Sequence, residues 1–450
     1  MNGGTADHWR AVAPGRVNLI GEHTDYSGLP VLPIAIDRAI RVDFRVVGEA
    51  MVRLDSPVPR FSPFAFQLKR PIEAADQGDW SNYVRAAARG LLEHGVELRR
   101  GIVGTVSGDV PIASGLSSSS ALVVASALAL MKANVVEVED GKGGGAESGV
   151  GPAAAGLASD EDGMGGRAEG SVGPAAVGRA SGEDAAGGHR SGKAISRLEL
   201  AALLARAERF VGLQGGGMDQ AACLHGMEGH ALRIEFEPLR VTPVAVPAGW
   251  RWVVASSLER AEKSAGAREA YNERARQCRE ALEGVGGGYR DLVADSDLDG
   301  VLRRARRVLA PVLFRRFRHV VTEGRRVALA EEAMRNGEMG RFGDLMVQSH
   351  VSLRDDYEVS TADLDEMVEV ALEAGAAGVR LTGAGFGGCI VTLCDEQAVA
   401  PVTDALATRF YAPRLGGPPG RDVMFAVKAG RGAGVEELAP PRRGESHYPC

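Results

Sequence analysis

Apolar and polar positions divide the chain into runs of two kinds. Residues 17–20 and 34–44 are rich in β-branched side chains and bounded by Gly and Pro, which predicts strands. Residues 231–236 and 250–255 predict strands by the same pattern. Residues 117–135 are apolar for too long to be a strand and predict a buried helix. Residues 197–210 predict an amphipathic helix, with Leu198, Leu200, Leu203 and Leu204 on or near one face. Longer helical stretches follow at 268–282, 320–336 and 362–374, and 378–394 reads as strand, glycine loop, strand. Without a regular βαβ alternation, this mixture predicts an α+β fold rather than a doubly wound sheet.

One segment follows neither pattern. Residues 141–195 contain no Phe, Tyr or Trp, and Gly, Ala, Ser, Asp and Glu dominate. Within it, Val150-Gly151-Pro152-Ala153-Ala154 recurs as Val172-Gly173-Pro174-Ala175-Ala176. The leucines of a solenoid repeat are absent, so the reading is a duplicated, disordered low-complexity insertion. Such a stretch buries too little apolar surface to offset its ordering entropy.

Composition narrows the class. The chain has 450 residues, 45% hydrophobic and 25% charged, as in ordinary globular proteins, and its length suggests two domains. A net charge of −7 argues against a general grip on nucleic acid or anionic lipid. The N-terminal residues lack a signal-peptide pattern, and the longest apolar run, 121–131, is too short to span a membrane. Five cysteines without a CxxC pair suggest a reduced, cytoplasmic chain.

Four separated segments carry chemistry. In the first, Pro14 to Tyr26, a strand delivers Glu22, His23 and Asp25 just past Gly21; these acceptors suit the hydroxyls of a polyol, or form a polar turn. The second, Pro111 to Ser120, places small residues and four hydroxyls before the apolar helix, either as a phosphate cradle or as a serine cap. It lacks the Gly-Lys-Ser/Thr of a Walker A loop. The third, Gly378 to Leu393, has the glycines of a dinucleotide fingerprint, but Ile390, Val391 and Thr392 predict a strand where that fingerprint needs a helix. In the fourth, three glycines precede Asp219, which is either an active-site carboxylate or a helix cap.

Together these segments resemble the galactokinase branch of the GHMP small-molecule kinases. The resemblance rests on Arg16 to Tyr26, Gly115 to Ser119, Gly217 to Gln220 and Leu381 to Gly388, in that order. Weaker echoes occur at 79–84, 271–274 and 318–323. It implies a two-lobed fold with the active site in the cleft: an N-terminal lobe over 1–240, a C-terminal lobe over 241–436, and a flexible tail over 437–450.

The implied reaction transfers the γ-phosphoryl of MgATP to the C1 hydroxyl of galactose. By position, Asp219 is the implied base and Arg16 its charge-stabilising partner. Glu22, His23, Asp25, Gly216 and Tyr271 would hold the sugar. The loop Ala113, Ser114, Gly115, Leu116, Ser117, Ser118 and Ser119 would wrap the ATP phosphates, with Trp80 at the adenine. Ser119 and Glu208 would coordinate Mg²⁺. The expected partners are therefore galactose or a related sugar and ATP, with no nucleic acid or membrane; the oligomeric state is open, a monomer being the simple expectation.

The run Gly215 to Gln220 resembles the N-acetylgalactosamine kinase branch, whereas Thr24 and Tyr271 resemble true galactokinases. Another GHMP sugar-1-kinase, such as one acting on arabinose, is a further alternative. A non-catalytic galactose and ATP sensor is disfavoured because the serine loop, Arg16 and Asp219 are intact.

Overall fold

The computed structural model describes residues 8–112, 114–140, 194–212, 215–259 and 265–438. Its strands are β1 (His8–Asn18), β2 (Pro33–Val47), β3 (Met51–Asp55), β4 (Phe64–Gln67), β5 (Gly101–Gly108), β6 (Val138–Glu139), β7 (Ile195–Ser196), β8 (His230–Glu235), β9 (Arg240–Ala245), β10 (Arg251–Ser256), β11 (Gly378–Thr382), β12 (Cys389–Cys394), β13 (Met424–Val427) and β14 (Gly434–Leu438). Its helices include α1 (Ser81–Glu93), α2 (Ser118–Ala133), α3 (Arg197–Ala207), α4 (Met218–His225), α5 (Ala265–Val285), α6 (Tyr289–Ala294), α7 (Leu298–Val308) and α8 (Pro311–Asn336).

Two sheets organise these elements. The first runs β14-β1-β2-β5-β3-β4, antiparallel except where β3 meets β5. The second runs β11-β12-β10-β13 and is antiparallel throughout. Helix α2 lies between the first sheet and helices α1 and α4. Its continuous apolar run suits that position, because a helix hydrophobic all round must be buried on every side. A second apolar core joins β11 and β12 to α5 and α8, around residues such as Phe317, Val321 and Leu381. Among the described residues, no helix is long and apolar enough to cross a membrane.

Several expected boundaries shift. The strand expected at 17–20 starts at His8 and ends at Asn18, because a register shift between Pro14 and Arg16 carries Pro14 inside it. The helix expected over 197–210 stops at Ala207 and tightens into a 3₁₀ turn, Glu208–Val211. Most of the expected insertion, 141–193, lies outside the described residues, but its last residue belongs to the fold: Ile195 is buried and pairs in parallel with Val138. The lobe boundary at 240/241 cuts the β8–β9 hairpin, whose strands pair from His230 to Ala245. The expected tail includes Glu437 and Leu438, which complete β14 against β1. The C-terminal strand thus belongs to the N-terminal sheet.

Candidate active site

A cavity of about 610 Å³ collects segments spread over nearly the whole chain. Arg16, Glu22, His23 and Asp25 line it with Ser117, Ser118 and Ser119, Asp219, Tyr271 and the 383–386 loop.

Asp219 stands in the first turn of α4, after Gly217 at φ +104°. One carboxylate oxygen accepts Arg16 Nε–H at 2.7 Å. The other accepts the Ser117 hydroxyl and lies 3.4 Å from the Ser120 hydroxyl oxygen. Arg16 follows the β1 irregularity, which turns the guanidinium toward the serine loop, where it also donates to the Gly115 carbonyl. Its backbone N–H donates to the Leu116 carbonyl at 3.2 Å. These bonds dock strand, loop and helix on a common centre. Charge-assisted bonds of this kind are among the stronger ones.

The 3₁₀ turn brings Glu208 to the same wall. Its carboxylate oxygens accept Ser120 Oγ–H at 2.9 and 3.0 Å, and Gln220 Nε2 donates to it as well. Ser119 lines the cavity from the first turn of α2. Among the described residues, no group of three or more His, Cys, Asp and Glu forms a closed metal cage.

The polar wall is held by buried groups. Glu22 pairs with Arg380 at 2.8 Å; burial pushes its carboxyl up, against the opposing pull of Arg380 and Arg16. His23 Nε2 lies 3.1 Å from the Ala384 carbonyl and Nδ1 lies 3.0 Å from the Tyr26 hydroxyl. A carbonyl only accepts, so the proton belongs on Nε2 and Tyr26 donates to Nδ1. Burial, helped by His319, holds His23 down to about 3, so the ring is neutral. Asp25 accepts the Gly216 N–H at 2.9 Å, and burial together with the Asp219 charge pushes it up to about 6. The Tyr271 ring, from α5, lies 5.5 Å from that of His23 and 5.6 Å from that of Tyr26.

An aromatic wall completes the cavity. Trp80 packs 4.6 Å from Phe64 and 5.6 Å from Phe61, and its indole N–H donates to the Ser62 carbonyl. Gly115, at φ +78°, lets the serine loop approach the Thr382 carbonyl: a Cβ there would come within 3.0 Å of it. The serine loop and the second glycine loop therefore meet backbone to backbone.

The cavity walls include Arg16, Asp219, Glu22, His23, Asp25, Tyr271, Ser114, Gly115, Ser117, Ser118, Ser119, Trp80 and Glu208. Two further expected residues make their contacts through the backbone. The Gly216 N–H holds the Asp25 carboxylate, and a Cβ on Gly216 would reach within 2.5 Å of the Asp25 backbone. The Leu116 side chain is in the core, and its carbonyl is engaged by Arg16. Ala113 lies outside the described residues. Sequence reasoning missed Ser120, which donates to Glu208 beside Asp219, and Arg380, which pairs with Glu22. Ser120 was hidden in a run of equivalent serines, and Arg380 in an ordinary strand pattern.

Residues 82–142 match the GHMP kinases N terminal domain and residues 330–412 the GHMP kinases C terminal domain. Fold and site together thus define a kinase of the GHMP class. Residues 3–45 match the galactokinase galactose-binding signature. A galactokinase of Chloroflexus aggregans is 36% identical over 409 residues, covering 90% of this chain and 88% of the relative. The chain belongs to the galactokinase family of GHMP kinases. A galactokinase of Actinobacillus pleuropneumoniae is 30% identical over 403 residues, covering 88% of each chain. Among solved structures, Lactococcus lactis galactokinase complexed with galactose superposes with a TM-score of 0.73 at 28% identity, covering 96% of both chains. Methanococcus jannaschii mevalonate kinase shares the fold alone, with a TM-score of 0.56 at 16% identity over 96% of this chain and 100% of that one.

Proposed function

We propose that this chain is a galactokinase, which transfers the γ-phosphoryl of ATP to the C1 hydroxyl of galactose and yields galactose 1-phosphate and ADP. The observation that carries the reading is the Arg16–Asp219 pair, set in one cavity between the serine loop and the polar wall of Glu22, His23 and Asp25. Phosphoryl transfer depends mainly on positioning and on stabilising charge. Asp219 accepts the hydrogen of the sugar C1 hydroxyl and aims its oxygen at the γ-phosphorus. Because Ser117 already donates to Asp219, the incoming hydroxyl takes the place of that serine at the carboxylate. Arg16 holds Asp219 and offers its guanidinium to charge developing on the transferring group.

The phosphates lie along Ser114, Gly115 and Ser117 to Ser119, at the N-terminus of α2, where a helix directs backbone N–H groups and the positive end of its dipole at an anion. Trp80 and Phe61 supply an apolar surface for the adenine. The Ser119 hydroxyl and Glu208 carboxylate are hard oxygen donors on the same wall, and would hold Mg²⁺ shared with the phosphates. When bound, the ion neutralises phosphate charge. Glu22, Asp25 and neutral His23 orient the sugar through its hydroxyls, with Tyr271 beside them.

The test is ATP turnover with galactose, N-acetylgalactosamine and arabinose side by side, with Asp219→Asn as control. Galactose should give the highest kcat/KM, and Asp219→Asn should lose on the order of 10²-fold or more in kcat. Undiminished turnover in that variant would remove Asp219 from the mechanism.

A further inference from the structure

None of residues 318–323 lines the cavity, yet the segment holds its polar wall through Gly21 and Glu22. His319 and Glu323 stand four residues apart on α8 and so share a face. Both are fully buried. His319 Nε2 donates to the Glu22 carbonyl at 3.1 Å. Glu323 Oε1 accepts the Gly21 N–H at 2.9 Å and the Glu22 N–H at 3.3 Å. From β11, Arg380 donates to the Glu22 carboxylate at 2.8 Å and to the Asn18 carbonyl at 3.1 Å. Every polar group of the Glu22 backbone, and one of its carboxylate oxygens, is thus engaged by a buried side chain of the other lobe.

We propose that His319, Glu323 and Arg380 are positioning residues that clamp Glu22 as a hydroxyl acceptor, so that sugar affinity is set by side chains that do not touch the sugar. The inference rests on the reading of Glu22 as a sugar-binding residue.

The clamp members are themselves fixed. Glu323 also accepts Ser349 Oγ–H at 2.7 Å and Arg326 Nε–H at 2.7 Å. Burial pushes its carboxyl up, but Arg326 and its other partners prevail and hold it at about 2, so it remains an acceptor. His319 Nδ1 lies 2.9 Å from the Ser352 hydroxyl; with the Nε2 proton given to Glu22, that nitrogen accepts. Gly21 is part of the geometry, since its φ is +97° and a Cβ there would meet Val327 at 2.9 Å. A structural tie between lobes would need only one of these contacts. Three of them converging on a single residue of the cavity wall is the arrangement of a support for a binding group.

The experiment compares Glu323→Gln, Arg380→Lys and Arg380→Met with the wild type, measuring kcat and the separate KM values for galactose and ATP. Glu323→Gln keeps the volume and one acceptor oxygen, so the test stands even where Arg380→Met does not fold. The expected result is a galactose KM raised at least tenfold in Glu323→Gln and Arg380→Lys, with the ATP KM within twofold and a smaller change in kcat. Calorimetric titration with galactose should show the same loss, and Arg380→Lys should retain more affinity than any Arg380→Met that folds. Folded variants with unchanged galactose KM, or with both KM values moved equally, would overturn the clamp. Wild-type protein that turns over no galactose would instead overturn the functional reading, and a Glu22→Gln control with unchanged galactose KM would overturn the sugar role of Glu22.

Discussion

Asp25 shows how placement changes a common side chain. Burial and the neighbouring Asp219 charge raise it to about 6, so it becomes a neutral acid just below the physiological range. A protonated carboxyl has lost acceptor capacity toward a sugar hydroxyl. The kcat/KM for galactose should therefore fall as pH drops through about 6. Asp25→Asn should lower the plateau and remove that inflection, and an unchanged inflection would assign it to another group. At this scale much of the site was legible in the sequence. Arg16, Glu22, His23, Asp25 and Asp219 stand in motifs dense with polar atoms, where a strand or helix would otherwise be apolar. Arg380 was not legible, because a buried arginine in β11 reads as one polar position in a strand until its carboxylate partner, 358 residues away in sequence, is seen beside it. The tie between Gly216 and Asp25 was not legible either, since a glycine has no side chain to show which neighbour its backbone engages.

Single elements were legible where local chemistry decides them. The β-branched residues after the 383–388 glycines do form β12, and the Ser run does open α2. The Glu208 turn was not legible, because the change from α to 3₁₀ pitch at Ala207 depends on what the next turn packs against. The short β6–β7 pair matters for the 141–193 segment that joins it. The pair is parallel, with the Ile195 N–H donating to the Glu137 carbonyl at 2.9 Å. Parallel neighbours need a crossover of about a dozen residues rather than a tight turn. Replacing 141–193 by a flexible linker of about 12 residues should therefore keep kcat within about twofold. Joining Asp140 directly to Ala194 should lower the melting temperature by breaking the pair. A large fall in kcat with the linker variant would show that the segment serves the active site.

Over the whole molecule, the buried histidines set the acid response. His23 and His319 are held at about 3 and about 4, chiefly by burial, against an ordinary 6.5. A group with a depressed histidine pKa contributes stability above 6.5 and loses it as pH falls toward the folded value. Asp25 acts with the opposite sign between 3.8 and about 6, because its folded pKa is raised. His225, lowered to about 4 chiefly by burial, adds to the loss, while Glu22, raised by burial, opposes it alongside Asp25; the three histidines outweigh the two carboxyls and leave a net loss on acidification. The melting temperature should fall steadily from pH 7 to pH 4.5, and a flat profile would contradict this balance.

The α+β class was legible from the mixture of element types, whereas the order of strands in the first sheet was not. Nothing local in residues 434–438 marks them as the neighbour of β1, since Leu438 meets His8 only through the completed fold. That pairing has a consequence for synthesis. While the chain emerges from the ribosome, β1 waits with one row of backbone donors and acceptors open until its final partner arrives. A fragment released before Gly434 would keep every motif of the active site and still expose that row. An uncovered strand edge is a template for other chains. Copies of this protein terminated before Gly434 would thus carry an aggregation-prone edge that β14 seals on β1.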